Sequence, residues 1–193
     1  VFPNLRHLSI SSSTWSWLWA DSLPRGLTSL KVRAQHILTS TPTHELPPHL
    51  TRLVFVGFSI YSPNPAIAKL SQGLLELGSV SFTGIDPSRY TALTRLRIRN
   101  VPVEATLPST LTDLELFNEF DPVATTLPKF PPRITRLVLG LYNFHVTSKS
   151  ASHLPKSLLE LDIIARALKD PESEFYSNLP RSLLSLRVRS DYA

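Results

Sequence analysis

The string L-x-x-L-x-L, with Ile, Val or Phe admitted at its apolar places, can be traced nine times along the chain, once in weakened form. It opens at Leu5, Leu27, Leu50, Leu74, Leu93, Leu111, Ile134, Leu158 and Leu183. Successive openings lie 22, 23, 24, 19, 18, 23, 24 and 25 residues apart. Spacing this regular describes one short structural unit used repeatedly, each too small to bury its own apolar face and stable only when stacked on its neighbours. Within most units the fourth and sixth places alternate with polar residues. That is the period of a β-strand with one face inward, and stacked units place those strands side by side in a parallel sheet. The fourth unit departs from the pattern, with Ser79 at an apolar place, and the two short intervals predict local distortion of the stack.

Two further markers keep the same beat. Leu-Pro stands four residues before most opening leucines, at Leu23-Pro24, Leu46-Pro47, Leu107-Pro108, Leu154-Pro155 and Leu179-Pro180, with Phe130-Pro131 as a variant. Proline has no N–H to give a ladder, so it belongs where the chain enters the strand. An apolar residue ten places after the opening leucine (Trp15, Ile37, Ile60, Val103, Phe144 and Leu168) is expected to turn inward as the chain leaves it. The return segments are rich in Pro, Ser and Thr, as in Leu38-Thr39-Ser40-Thr41-Pro42-Thr43, and make poor helices. The expected architecture is one domain over residues 1–193, a curved parallel sheet of about nine strands. Its convex side is mostly extended or 3-10, with a helical turn or two around Ala66 to Gln72.

The pattern resembles the leucine-rich-repeat superfamily over essentially the whole chain. It is similar to two Leu-Pro-containing classes, the bacterial-effector repeats that read L-P-x-x-L-x-x-L-x-V and the FNIP repeats of social amoebae, which carry L-P-x-S-L-x-x-L. Leu154-Pro155-Lys156-Ser157-Leu158 and Leu179-Pro180-Arg181-Ser182-Leu183 match the latter, and Phe117-Asn118 before Pro122-Val123 echoes its F-N-x-P-I portion. The Asn that many leucine-rich repeats place after the strand is missing here, so turn carbonyls need other donors. The resemblance implies a protein-interaction scaffold; it does not name a ligand.

Composition removes several chemistries. With no cysteine there is no disulfide, thiolate metal site or Cys nucleophile, and a Cys-dependent ligase is impossible within these residues. The excess of 20 Lys and Arg over 15 Asp and Glu is small and spread along the chain, so it permits anionic partners without demanding one. No apolar run approaches the ~20 residues of a membrane span. The absence of cysteine, of N-x-Ser/Thr sequons and of a visible signal peptide is what a cytoplasmic setting leads one to expect. His44-Glu45-Leu46-Pro47-Pro48-His49 is one residue too long for a zinc-binding H-E-x-x-H, and its prolines forbid the helix such a site needs. No Gly-rich phosphate loop and no Ser-His-Asp spacing is present, and no cofactor is expected.

The third, fifth and seventh places of each unit should face solvent on the concave side. In the third column Arg52, Glu76, Arg95, Asp113, Arg136 and Glu160 alternate in sign, as a cross-strand ladder would. Arg95, Arg97 and Arg99 share a strand, with Asp113 and Glu115 opposite the first two. Arg99, between Val80 and Phe117, is then the least neutralised. Arg95, Arg97, Arg99, Phe117 and Val138 are the candidate partner contacts, against the plainer reading of a solvated charged face. Trp17 and Trp19 either cover an open end of the core or offer a second contact patch. Thr28, Thr51, Thr94, Thr112 and Thr135 share the second place, where hydroxyl–backbone hydrogen bonds are expected.

These features predict a non-catalytic protein-binding module. The alternatives are a polyanion or nucleic-acid binder using concave Lys and Arg, and a structural subunit of a larger assembly. The last strand ends at Val188 with little chain after it, so a further repeat, a cap or a neighbouring subunit is expected there. Self-association through the C-terminal edge follows if that edge stays open.

Overall fold

The computed structural model describes residues 2–11, 17–19, 22–32, 36–38, 46–55, 70–81, 86–102, 104–118, 127–146, 151–168 and 172–190. Among the described residues eleven strands are formed: β1 His7–Ile10, β2 Trp17–Trp19, β3 Ser29–Val32, β4 His36–Leu38, β5 Arg52–Phe55, β6 Glu76–Ser81, β7 Arg95–Arg99, β8 Asp113–Asn118, β9 Arg136–Val146, β10 Glu160–Leu168 and β11 Ser185–Ser190. Nine of them make one sheet in the order β1-β3-β5-β6-β7-β8-β9-β10-β11, one strand per repeat. The pairings within it are parallel and keep the repeat register, His7 beside Ser29, Ser29 beside Arg52, Asp113 beside Arg136, and Arg136 beside Glu160. The chain is a parallel β-solenoid. It divides into two compact units, Val1–Leu96 and Arg97–Ala193, and the boundary falls inside β7.

Burial follows the repeat. In the first unit Leu27, Leu50, Leu74 and Leu93 at the opening place, and Leu30, Leu53 and Leu77 at the fourth, are wholly inaccessible; in the second unit the same holds for Leu111, Ile134, Leu158, Leu114 and Leu137. Burying such a side chain contributes ~1.5–3 kcal/mol, so these inward columns are the main favourable term in folding.

Each strand is entered through the same turn. The N–H of the opening residue donates to the carbonyl three residues earlier, as in Leu27 to Pro24, Leu50 to Pro47, Leu111 to Pro108, Leu158 to Pro155 and Leu183 to Pro180. Where proline is replaced the turn persists, Leu74 donating to Ser71 and Leu93 to Tyr90. Proline here supplies a carbonyl and a ring: Pro47, Pro108, Pro131 and Pro155 are buried, as are Leu23, Leu46, Leu107 and Leu154 before the turn. Leu-Pro is thus a lid on the core as well as a strand entry.

Hydroxyls and amides do the work that an asparagine ladder would do. The carbonyl at the second place accepts two N–H groups from the next repeat, for example Arg6 from Thr28 and Ser29, and Thr135 from Leu159 and Glu160. The expected Thr bonds join it: Thr28, Thr51 and Thr135 donate their hydroxyls to the second-place carbonyls of Arg6, Thr28 and Thr112, at 3.0, 3.2 and 3.2 Å. Where Leu159 and Leu184 replace Thr, the serine before the opening leucine takes over. Ser157 Oγ lies 2.7 Å from the carbonyls of Pro132 and Ile134, and Ser182 Oγ 2.7 Å from those of Lys156 and Leu158.

The returns differ from expectation in two ways. Some are extended, as predicted, but they also pair: β2 and β4 form a second parallel sheet in the first unit, and β9 and β10 remain paired to Val146 and Leu168 across an irregularity near Ala165. The last return contains a short helix, Glu172–Ser177, whose Phe175 is fully buried. A 3-10 turn, Pro87–Arg89, is capped by Asp86, whose carboxylate accepts from the Ser88 N–H at 3.1 Å. Most of the helical turn expected around Ala66 to Gln72 lies outside the described residues, as do Trp15, Ile60 and Val103.

Candidate partner-binding surface on the second unit

The solvent face of the second unit is set out by register. From β7 to β11 its fifth column reads Arg97, Glu115, Val138, Asp162 and Arg187, and its seventh Arg99, Phe117, Gly140, Ile164 and Arg189; the β8, β9, β10 and β11 members of each column are paired residue to residue.

Phe117, on β8, is only 7% exposed. Two neighbours explain its burial. On β9, Gly140 leaves the room: a Cβ there would stand 2.8 Å from Phe117 Cε1 and still closer to Cδ1. On the β7 side, the guanidinium carbons of Arg97 and Arg99 lie 4.8 and 5.8 Å from the ring centroid, within cation–π range. Asn100, at φ 55° in the left-handed region that Asn tolerates, ends β7 beyond Arg99, and its N–H donates to the Phe117 carbonyl at 3.1 Å. Phe117 is therefore a platform beneath two arginines, whereas the sequence led to the expectation of a solvent-facing aromatic.

Ion pairs organise the rest. Arg136 Nη1 donates to Asp113 at 2.7 Å and to Glu115 at 3.1 Å, and its Nε lies 3.7 Å from Glu160. Partial burial alone would lower the Arg136 pKa, but the hydrogen bonds it donates to Asp113 and Glu115, with their charges, outweigh it and raise the pKa above the usual arginine value. Arg97 Nε is 3.5 Å from Glu115. Asp162 takes a two-point contact from Arg189, at 3.2 and 2.6 Å, with Arg187 at 4.0 Å. The alternating third column is a real ladder within each unit: Asp113–Arg136–Glu160 here, and Arg52–Glu76–Arg95 at 2.8 and 3.9 Å in the first unit.

The sequence-derived candidates are thus distributed. Arg97, Arg99 and Phe117 are brought together. Val138 sits beside Glu115 and Asp162 in the fifth column, buried in the floor of a shallow depression of about 110 Å³ that Arg136, Glu160, Asp162 and Arg187 also line. That volume is well below the ~300 Å³ at which small-molecule sites begin. Arg95 belongs with Glu76 in the first unit. Trp17 and Trp19 are strand residues of β2, beside His36 and Leu38 of β4. Sequence reasoning did not single out Gly140 or Asn100; the signal for Gly140 was a glycine in the column beside a phenylalanine.

Among the described residues no group of three or more His, Asp or Glu could hold a metal ion, and no helix is long and apolar enough to cross a membrane. No protein-family model and no curated protein matches this chain. Among solved structures it is similar to that of CroV588, described as a novel circular LRR protein structure, with a TM-score of 0.59 and 22% identity. The likeness covers 96% of this chain and 27% of that one, so the chain spans about a quarter of its length. At that identity the likeness shows the fold, a leucine-rich-repeat-like solenoid.

Proposed function

We propose that this chain is a non-catalytic scaffold that binds a protein partner on the solvent face of β7 to β11, with Arg97 and Arg99 as contact residues. The observation that carries this reading is the Arg97–Arg99–Phe117–Gly140 stack. A guanidinium held against a ring on a paired strand has already given up rotamer freedom, so less entropy is lost when a partner seats on it. Arginine is also the charged residue most often found at binding hot spots. The repeat subclass proposed with it is the Leu-Pro-x-Ser-Leu class, because Ser157 and Ser182 have a defined bridging role between repeats.

A polyanion-binding reading fits less well. Asp162 lies against both Arg187 and Arg189, and Glu115 against both Arg97 and Arg136, so the face alternates in sign.

The test compares proteins co-purifying with the wild type and with an Arg97→Ala/Arg99→Ala variant, followed by titration of the captured protein against both. Weakened binding with an unchanged unfolding midpoint supports the surface; equal affinity removes it. Single-stranded DNA binding that falls steeply with salt would instead favour the polyanion reading.

A further inference from the structure

The strand-entry turns of the second unit carry charge of one sign. From five residues before the opening residue to one after it, the seventh, eighth and ninth repeats supply Lys129, Arg133, His153, Lys156 and Arg181, and no Asp or Glu. The acidic residues that follow, Glu160 and Asp162, stand on the solvent face and are already engaged by Arg136, Arg187 and Arg189. Lys129, Arg133, Lys156 and Arg181 are exposed, and among the described residues none of the four is held in an ion pair.

These turns stack tip on tip. Ser157 Oγ reaches the carbonyl of Pro132 at 2.7 Å, and Ser182 Oγ reaches that of Lys156 at the same distance. Arg133, Lys156 and Arg181 therefore follow one another along a single edge. Paired strands lie ~4.8 Å apart, so neighbouring cations fall within the ~10 Å over which charges act together at about 0.1 M salt.

Apolar surface accompanies the charge. Thr holds the second place in five repeats, but in the eighth it is Leu159. Leu159 is 38% exposed although β10, which it precedes, has a paired strand on either side. Pro132, beside Arg133 at a turn tip, is exposed as well.

We propose that this edge docks on an anionic phospholipid surface, the protein lying on the bilayer without crossing it. The inference is independent of the partner-binding reading of the solvent face.

Three features favour a membrane over a nucleic-acid strand. The cations stand at turn tips, where a broad plane touches them together, whereas a single strand is tracked by a groove. The three entry segments hold one aromatic residue, the half-buried Phe130, so successive bases find no stacking platform. Leu159 and Pro132 gain by leaving water for the boundary between headgroups and acyl chains, and gain nothing against a phosphodiester backbone. Each Lys or Arg close to an anionic leaflet strengthens partitioning roughly fivefold, so a row of four is enough for salt-sensitive association.

Sedimentation with phosphatidylcholine vesicles, with and without phosphatidylserine, tests this. The wild type should bind only the vesicles that contain phosphatidylserine, and less as salt rises. Lys156→Gln/Arg181→Gln should lower partitioning roughly 25-fold, and Lys129→Gln/Arg133→Gln by a similar factor; circular dichroism checks that each stays folded. Leu159→Thr, which restores the residue found at this place in other repeats, should weaken binding severalfold at unchanged charge. Arg97→Ala/Arg99→Ala should bind vesicles like the wild type, which keeps this test apart from that of the solvent face. Equal binding to both kinds of vesicle, or to neither, overturns the proposal. So does wild-type partitioning by both glutamine variants. Single-stranded DNA that displaces the protein from vesicles, with Leu159→Thr binding like the wild type, overturns it in favour of nucleic acid.

Discussion

Phe117 occupies the space that a side chain at residue 140 would need, and the two residues are direct register partners on β8 and β9. Gly140→Ala should therefore force the ring upward against Arg97 and Arg99. Overpacking of this kind costs ~1–3 kcal/mol. It outweighs the ~0.4–1 kcal/mol that Gly→Ala returns by restricting the unfolded chain, so the variant should unfold at lower urea. In a Phe117→Val background the same alanine should cost almost nothing. Equal costs in both backgrounds would show that the two side chains do not compete for space.

Ser157 and Ser182 bridge carbonyls of the preceding repeat at places where Leu has replaced Thr at the second position. Loss of such a hydroxyl at a part-buried carbonyl costs about 1 kcal/mol, and Ser157→Ala should show it. Thr51→Val should cost less, because water can reach the carbonyl that Thr51 serves. Leu159→Thr added to Ser157→Ala should recover part of the loss, since a second-place hydroxyl reaches the neighbouring second-place carbonyl of Thr135. Urea midpoints of the three variants and the wild type decide this.

The stack of repeats was legible because burial imposes its period directly. Leu27, Leu50 and Leu111 could be picked out by spacing alone, and each is fully buried. The charge ladder was legible for the same reason, since parallel register puts equal places side by side. What sequence could not supply was the third dimension of the solvent face. Phe117 and Val138 sit at places that point away from the core, yet both are buried, one beside a glycine and beneath two arginines, the other among Arg136, Glu160 and Arg187. Outwardness follows from alternation along a strand; exposure depends on how long the neighbouring side chains are. The second sheet was hidden differently. Trp17–Trp19 and His36–Leu38 are too short for alternation to show, and their flanks read as irregular chain. The helix Glu172–Ser177 is likewise too short for a helical period.

Tyr90 takes the place of proline in the fifth strand-entry turn and is buried. Burial raises its pKa; Arg89 opposes the rise and Asp86 adds to it. A phenol whose pKa is higher folded than unfolded keeps its whole contribution below the unfolded value of about 10 and loses it as pH climbs from there through the raised folded value. Stability should therefore be flat with respect to this group through neutral pH and fall in the alkaline range. Tyr90→Phe should fall less steeply than the wild type. Parallel alkaline profiles, followed by circular dichroism, would mean that Tyr90 is not responsible.

Arg136 holds together three carboxylates from two neighbouring strands, Asp113 and Glu115 on β8 and Glu160 on β10. An exposed pair contributes ~0.2–1 kcal/mol, and Arg136 is partly solvated, so the expected loss in Arg136→Gln is about 1 kcal/mol at neutral pH. Most of that loss comes from leaving Asp113 and Glu115 close to each other without a cation between them. Arg136's own pKa is raised, so its contribution is complete below the unfolded arginine value and is lost only in strongly alkaline solution. Adding Glu115→Gln to Arg136→Gln should restore part of the neutral-pH stability, whereas the same change in the wild type should lower it. A neutral-pH deficit that Glu115→Gln does not relieve would place the cost of Arg136→Gln in lost packing and not in charge.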